Sequence, residues 1–162
     1  MSKLLSSFGY AFSGILRCIR EERNFRIHIV AIFCVVWMSR FYSFSTVEKV
    51  LLAVICGMVL TSEMVNSAVE RAVDLSTVQI HPLAKAAKDI AAGAVLISAM
   101  AAAAAGILLF GHVENLLNCV RYFLEQPLRL LGLAIAAVLA IVFVFQLWDR
   151  KIKLSDLFWR KL

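Results

Sequence analysis

The sequence lacks the local patterns on which the familiar nucleotide-handling folds depend. Among its 162 residues there is no Gly-x-x-x-x-Gly-Lys-Ser/Thr loop, no kinase Gly-rich loop and no His-Arg-Asp triplet, which excludes the P-loop and protein-kinase folds. No Gly-x-Ser-x-Gly is present, so a hydrolase nucleophile elbow is excluded as well. The four cysteines, Cys18, Cys34, Cys56 and Cys119, have no metal-ligand spacing and read as reduced packing residues. Charge is sparse, at 17% of residues, and the net +6 is not gathered into a basic patch with interleaved aromatics. Nucleic acid is therefore not an expected partner. No short apolar core with a small-residue cleavage site follows the N-terminus, so no cleavable signal peptide is expected.

What the chain does have is apolar length. It is 62% hydrophobic, with a mean hydropathy of +0.84, values of integral membrane proteins rather than soluble domains. Residues 3 to 22 repeat apolar side chains at Leu4/Leu5, Phe8, Phe12, Ile15/Leu16 and Ile19, with Arg17 and Arg20 elsewhere on the wheel. That pattern predicts a helix lying in the membrane interface. Four apolar segments follow, at about Phe25 to Phe44, Val47 to Val73, Leu83 to Phe110 and Leu128 to Trp148. Each reaches the roughly 20 residues needed to span a bilayer. The first is the weakest, because His28 and Arg40 trim its apolar core. The third is rich in alanine and glycine, which suits close helix–helix approach. The expected fold is an all-α integral membrane protein: an interfacial amphipathic helix, three transmembrane helices and an extra fourth C-terminal one. Thirteen of the seventeen Lys and Arg fall on the side of the N-terminus and four (Arg40, Lys49, Arg121, Arg129) on the other. Both termini are therefore expected to be cytoplasmic.

The end of the second span breaks the apolar pattern. Glu63, Asn66/Ser67, Glu70 and Asp74 recur at i, i+3/i+4, i+7 and i+11, one narrow stripe of a helix. A carboxylate in a membrane helix costs at least about 2.5 kcal/mol, so two on one face point to a site that holds cations or moves protons. The blander reading is a hydrogen-bonded glutamate pair that fixes assembly. Carboxylate oxygens are the ligands Mg²⁺ takes, often with phosphate oxygens completing its shell. Glu21 and Glu22 end the interfacial helix, and one of them can reach the same level; alone they read as a solvated helix end. Lys85, Lys88 and Asp89 open the third span, where cations oppose the helix dipole. Two ammonium groups beside free backbone N–H groups form a phosphate site, or else anchor the cytoplasmic end. His81, in the loop before Pro82, is incidental by itself.

Three motifs then stand in order: Glu22-Arg-Asn-Phe25-Arg26-Ile-His28; Glu63-x-x-Asn66-Ser67-Ala68-x-Glu70-x-x-x-Asp74; and His81-Pro-Leu-Ala-Lys85-x-x-Lys88-Asp89-Ile-Ala-Ala-Gly-Ala-Val. Together they resemble the prokaryotic diacylglycerol kinase family, and their wording is closest to its undecaprenol kinase branch. The resemblance runs over about residues 3 to 110. It implies a lipid kinase domain over 1–110, working as a homotrimer in the bacterial cytoplasmic (inner) membrane with active sites shared between subunits. It implies transfer of the ATP γ-phosphate to the hydroxyl of a membrane lipid alcohol, with Mg²⁺ as cofactor. Carried over by residue, Glu63 is the general base and Asn66 positions it or the phosphate. Glu22 and Glu70 are the metal ligands, Lys88 meets the γ-phosphate and Asp89 supports the nucleotide site. Tyr10, His81 and Lys3 fall where the family contacts ATP.

Residues 111–162 exceed that pattern: a C-terminal extension with the fourth span, at about 128–148, and a basic tail with Trp148, Phe158 and Trp159, read as an interfacial anchor on anionic lipid. Diacylglycerol remains the alternative acceptor, and a non-enzymatic assembly or lipid-sensing module the alternative role.

Overall fold

The computed structural model describes residues 3–76 and 81–149; the side chain of Lys3, those beyond Phe145, and the expected basic tail lie outside the described residues. Six helices follow in order: α1 Lys3–Glu21, α2 Arg23–Met38, α3 Thr46–Ser76, α4 Pro82–Phe110, α5 Val113–Leu124 and α6 Pro127–Asp149. Four stretches are long and apolar enough to cross a membrane: Arg23–Phe41, Thr46–Ser76, Pro82–Phe110 and Pro127–Phe145. The expected all-α membrane architecture is therefore what the chain adopts.

Local chemistry sets the helix ends. A single residue, Glu22, separates α1 from α2, with extended backbone at φ −105° and ψ 112°. The first span closes in a 3₁₀ turn, Ser39–Phe41, three residues before its expected end. Ser45 opens α3 through a capping box: Glu48 Oε2 accepts from the Ser45 N–H at 2.7 Å, and Ser45 Oγ accepts from the Glu48 N–H at 3.3 Å. Pro82 takes the first turn of α4, where no N–H is missed, and His81 caps it by accepting from the Leu83 N–H at 3.2 Å. At the other end of α4, a Cβ on Gly111 would sit 2.6 Å from the Ile107 carbonyl oxygen, so only glycine turns the chain there without displacement.

α3 and α4 form the main helix pair, tied in mid-membrane by Ser62 Oγ and Ser98 Oγ at 2.7 Å. α2 packs on α3 with one side and on α6 with the other, so the fourth span sits away from the α3–α4 pair. Helix α5 was not expected from the sequence. It is amphipathic, and its ring contacts hold it to the end of α2: Trp37 lies 5.1 Å from both Phe41 and Phe123, and Phe41 lies 5.2 Å from Tyr122. A second cluster joins Tyr42, Phe44 and Phe110, where the Tyr42 hydroxyl donates to the Phe110 carbonyl at 3.0 Å. Both clusters sit at the end of the bundle opposite Glu22.

Few side chains are buried in a single copy. Among the described residues these are Cys18, Phe25, Arg26, Glu63, Ser67 and Val144 towards the Glu22 end, Val59 near the middle of α3, and Tyr42, Phe44 and Cys119 at the other end. The flanks between carry exposed Leu, Ile, Val and Phe, the surface expected of a protein whose solvent is lipid.

Candidate active site

The carboxylate stripe of α3 faces the α1–α2 junction. Val59, Glu63 and Ser67, spaced four apart, are the buried residues of α3, and Glu63 keeps only 3% of its surface exposed. Asn66 and Glu70 are half-buried beside them. The Asn66 amide donates to Glu70 Oε1 at 2.9 Å, which fixes that carboxylate two helical turns from Glu63. Glu22 and Glu70 both act electrostatically on the Glu63 carboxyl, and the Asn24 side chain reaches it. The fold thus brings Glu22, Glu63, Asn66 and Glu70 into one region. The extended break at Glu22 is what allows it: it lets α1 turn away while its carboxylate stays beside α3.

One residue that the sequence reading counted only as a cytoplasmic cation lies inside this cluster. Arg71 Nη2 is 2.7 Å from Glu22 Oε1 and 3.0 Å from Glu21 Oε2. Arg17 adds a looser pair with Glu21 at 3.9 Å. A usable signal was its position: Arg71 is eight residues after Glu63, two helical turns along the same face.

The cationic arm stands on α4. Lys88 Nζ pairs with Asp74 Oδ1 of α3 at 2.5 Å, and Lys85 Nζ with Asp89 Oδ2 at 2.6 Å. In this state both lysines are held by carboxylates, all of them exposed enough to be exchanged for another anion. His81 uses Nδ1 as the α4 cap. Tyr10 does not join the cluster. It is 72% exposed on α1, twelve residues before Glu22, about 18 Å along the helix.

Whether these residues suit a divalent cation can be tested on the donor set. The atoms offered by Glu22, Glu63, Asn66 and Glu70 are all oxygens, the hard ligands that Mg²⁺ prefers. Asn66 Oδ1 is buried without a hydrogen-bond partner among the described residues, an unmet acceptor beside Glu70. Groups of three or more His, Cys, Asp or Glu poised around one ion are absent among the described residues. Mg²⁺ needs no such group when phosphate oxygens and water complete its shell, so the oxygens present fit such a cation.

An apolar groove of about 220 Å³ runs between α2, α3 and α4, and its wall includes Val59, about one helical turn before Glu63. It is lined by Ile32, Leu52, Val59, Ala99 and Ala102, with His28 and Cys56 also on its wall and Phe110 at its far end.

A family model described as prokaryotic diacylglycerol kinase matches residues 9–110. The chain is 38% identical over 110 residues to the undecaprenol kinase of Bacillus subtilis, covering 68% of this chain and 89% of that protein. It is 40% identical over 104 residues to the diacylglycerol kinase of Synechocystis, covering 64% of this chain and 59% of that one. With the diacylglycerol kinase of Escherichia coli K12 it shares 30% over 112 residues, 68% of this chain and 92% of that protein. The matched family region ends at Phe110, so α5 and α6 lie beyond it.

Proposed function

The chain belongs to the prokaryotic diacylglycerol kinase family and is a membrane lipid kinase; from that premise we propose that it transfers the γ-phosphate of ATP to the hydroxyl of undecaprenol. The observation that carries the reading is the burial of Glu63 within electrostatic reach of Glu22 and Glu70, about one helical turn from Val59 on the wall of the apolar groove. A lipid alcohol lying in that groove presents its hydroxyl at the level of Glu63, and its chain never leaves the hydrocarbon.

Glu63 takes the proton of the hydroxyl as its oxygen attacks the γ-phosphorus, and the bond to the ADP oxygen breaks. Glu22 and Glu70 are the residues that would hold Mg²⁺, which supplies charge neutralisation on the phosphate oxygens. Asn66 sets the Glu70 carboxylate through the hydrogen bond already in place. Lys88 leaves Asp74 for the γ-phosphate, an exchange of one exposed anion for a more highly charged one. Asp89, Tyr10, His81 and Lys3 line the nucleotide side. Because Tyr10 stands far from the cluster in one copy, a neighbouring subunit of a homotrimer is the natural source of the missing nucleotide contacts. The fourth span packs on the α1–α2 side and leaves the α3–α4 flank open to such a neighbour. Both termini lie in the cytoplasm of a bacterial inner membrane, residues 1–110 form the catalytic domain, and 111–162 are an extension of it.

The acceptor is decided by offering undecaprenol and diacylglycerol side by side, with labelled ATP and Mg²⁺ in mixed micelles. Faster labelling of undecaprenol is the expected result, and faster labelling of diacylglycerol would assign the chain to phosphatidic acid formation instead.

A further inference from the structure

Arg26 is the one described residue with no exposed surface at all, although it sits in the first turn of a membrane span. Among the described residues no carboxylate pairs with it. Its guanidinium donates instead, through four hydrogen bonds, to three backbone carbonyls on two other helices. Nη1 reaches the Ile19 carbonyl at 3.0 Å and the Arg20 carbonyl at 3.1 Å. Nε and Nη2 both reach the Val144 carbonyl of α6, at 3.2 and 3.0 Å.

The placement has a clear electrostatic cause. Ile19 and Arg20 lie in the last turn of α1, and Val144 lies near the C-terminal end of α6. The end of α1 therefore directs the negative end of its dipole at the buried cation, and α6 adds a carbonyl from one turn inside its C-terminus. The last carbonyls of α1 have no intrahelical donors, and Arg26 supplies them. Buried cations in membranes are tolerated where backbone carbonyls receive them in this way.

The consequence concerns the site. The chain from Ile19 to Arg26 contains Glu21 and Glu22, and Glu22 is the one extended residue in it. Arg26 closes this segment into a loop and fastens it to α6. We propose that the fourth span is a positioning element of the kinase site, with Arg26 as the clasp that holds the α1–α2 junction, and so the Glu22 carboxylate, in register with Glu63 and Glu70 on α3. This deepens the lipid kinase reading and rests on it for the role of Glu22. It also gives the extension beyond the matched family region a task within each subunit. Arg26 touches no reacting atom; it is a positioning residue.

Two variants test the clasp in the full-length protein, one from each side. Arg26→Gln removes the guanidinium. Val144→Phe overfills a position that is 7% exposed and pushes α6 away while Arg26 stays. Backbone amide exchange over residues 19–26 should quicken about tenfold in either variant, with α3 and α4 unchanged. Half-saturating Mg·ATP should rise about three- to tenfold, with a smaller change in kcat. The double variant should be no worse than Arg26→Gln alone, since both remove one interaction. Unchanged exchange at the junction in Val144→Phe overturns the proposal. So does strict additivity, or loss of protection throughout α3 and α4. If Arg26→Gln fails to fold, Val144→Phe alone carries the test. Absence of phosphate transfer by the unaltered protein would count against the kinase reading, while the exchange result still decides the clasp.

Discussion

Replacing Arg71 by methionine should make the protein bind divalent cations more tightly. Arg71 bridges Glu21 and Glu22 at 3.0 and 2.7 Å, and Glu22 is one of the two carboxylates assigned to Mg²⁺. A cation that takes Glu22 must first displace the guanidinium. The side chains of Arg71 and Glu22 keep 38% and 26% of their surface, so solvent screens the pair and its worth is about 1 kcal/mol rather than a buried-pair value. At about 1.4 kcal/mol per tenfold, relieving that competition strengthens binding roughly fivefold. Methionine keeps the apolar stem, so packing of the side chain changes little. The assay is titration of Mn²⁺, as a paramagnetic stand-in for Mg²⁺, into the detergent-solubilised protein without nucleotide. Arg71→Lys separates two causes, because it keeps the charge and loses the forked geometry. It should fall between the parent and Arg71→Met. Unchanged or weaker Mn²⁺ binding in Arg71→Met would refute the reasoning, since Glu22 would then not be the carboxylate for which metal and arginine compete.

Other perturbations have equally definite outcomes. Lys88→Met should leave thermal stability within about 0.5 kcal/mol, because its partner Asp74 is 67% exposed, yet lower phosphate transfer by about a hundredfold or more. Tyr42→Phe removes the hydrogen bond to the Phe110 carbonyl and should cost about 1 kcal/mol of stability, read from the unfolding midpoint. Burial pushes the Tyr42 hydroxyl above its ordinary value, so its contribution is present below the unfolded-state value of about 10 and is lost as pH rises through the higher folded-state one; the parent protein should lose stability there relative to Tyr42→Phe. Gly111→Ala places a methyl group against the Ile107 carbonyl and should destabilise the α4–α5 turn by about 1–3 kcal/mol, again read from the midpoint.

How far the molecule was legible in its sequence depends on what each residue does. The stripe from Glu63 to Asp74 was readable because a helical period in an apolar segment leaves polar residues nowhere to hide, and the fold places Glu63, Asn66 and Glu70 together as that period requires. The four spans followed from apolar length alone, and helix α1 from the helical spacing of its apolar side chains. Helix α5 escaped because its twelve residues are too short to register against four spans, although Val113, Leu116, Leu117, Val120 and Leu124 repeat at helical spacing. Arg26 and Arg71 were counted as cytoplasmic charges. Counting cations gives orientation, but it carries no information on whether a particular guanidinium faces water, a carboxylate or a helix end. The break at Glu22 falls where the interfacial helix is expected to end, but no glycine or proline shows how it is held: that is done by the hydrogen bonds of Arg26 to the end of α1.

The central claim is that Glu63 activates a lipid hydroxyl for attack on ATP, and Glu63→Gln tests it most directly. The substitution keeps the size of a side chain that is 3% exposed and removes its capacity to accept the proton. Transfer of label from γ-labelled ATP to undecaprenol, measured beside the parent protein in the same micelles, should fall by about a hundred- to ten-thousandfold while the protein elutes at the same oligomeric size. Equal transfer by Glu63→Gln and the parent would contradict the account, because the buried carboxylate would then play no part in the chemistry.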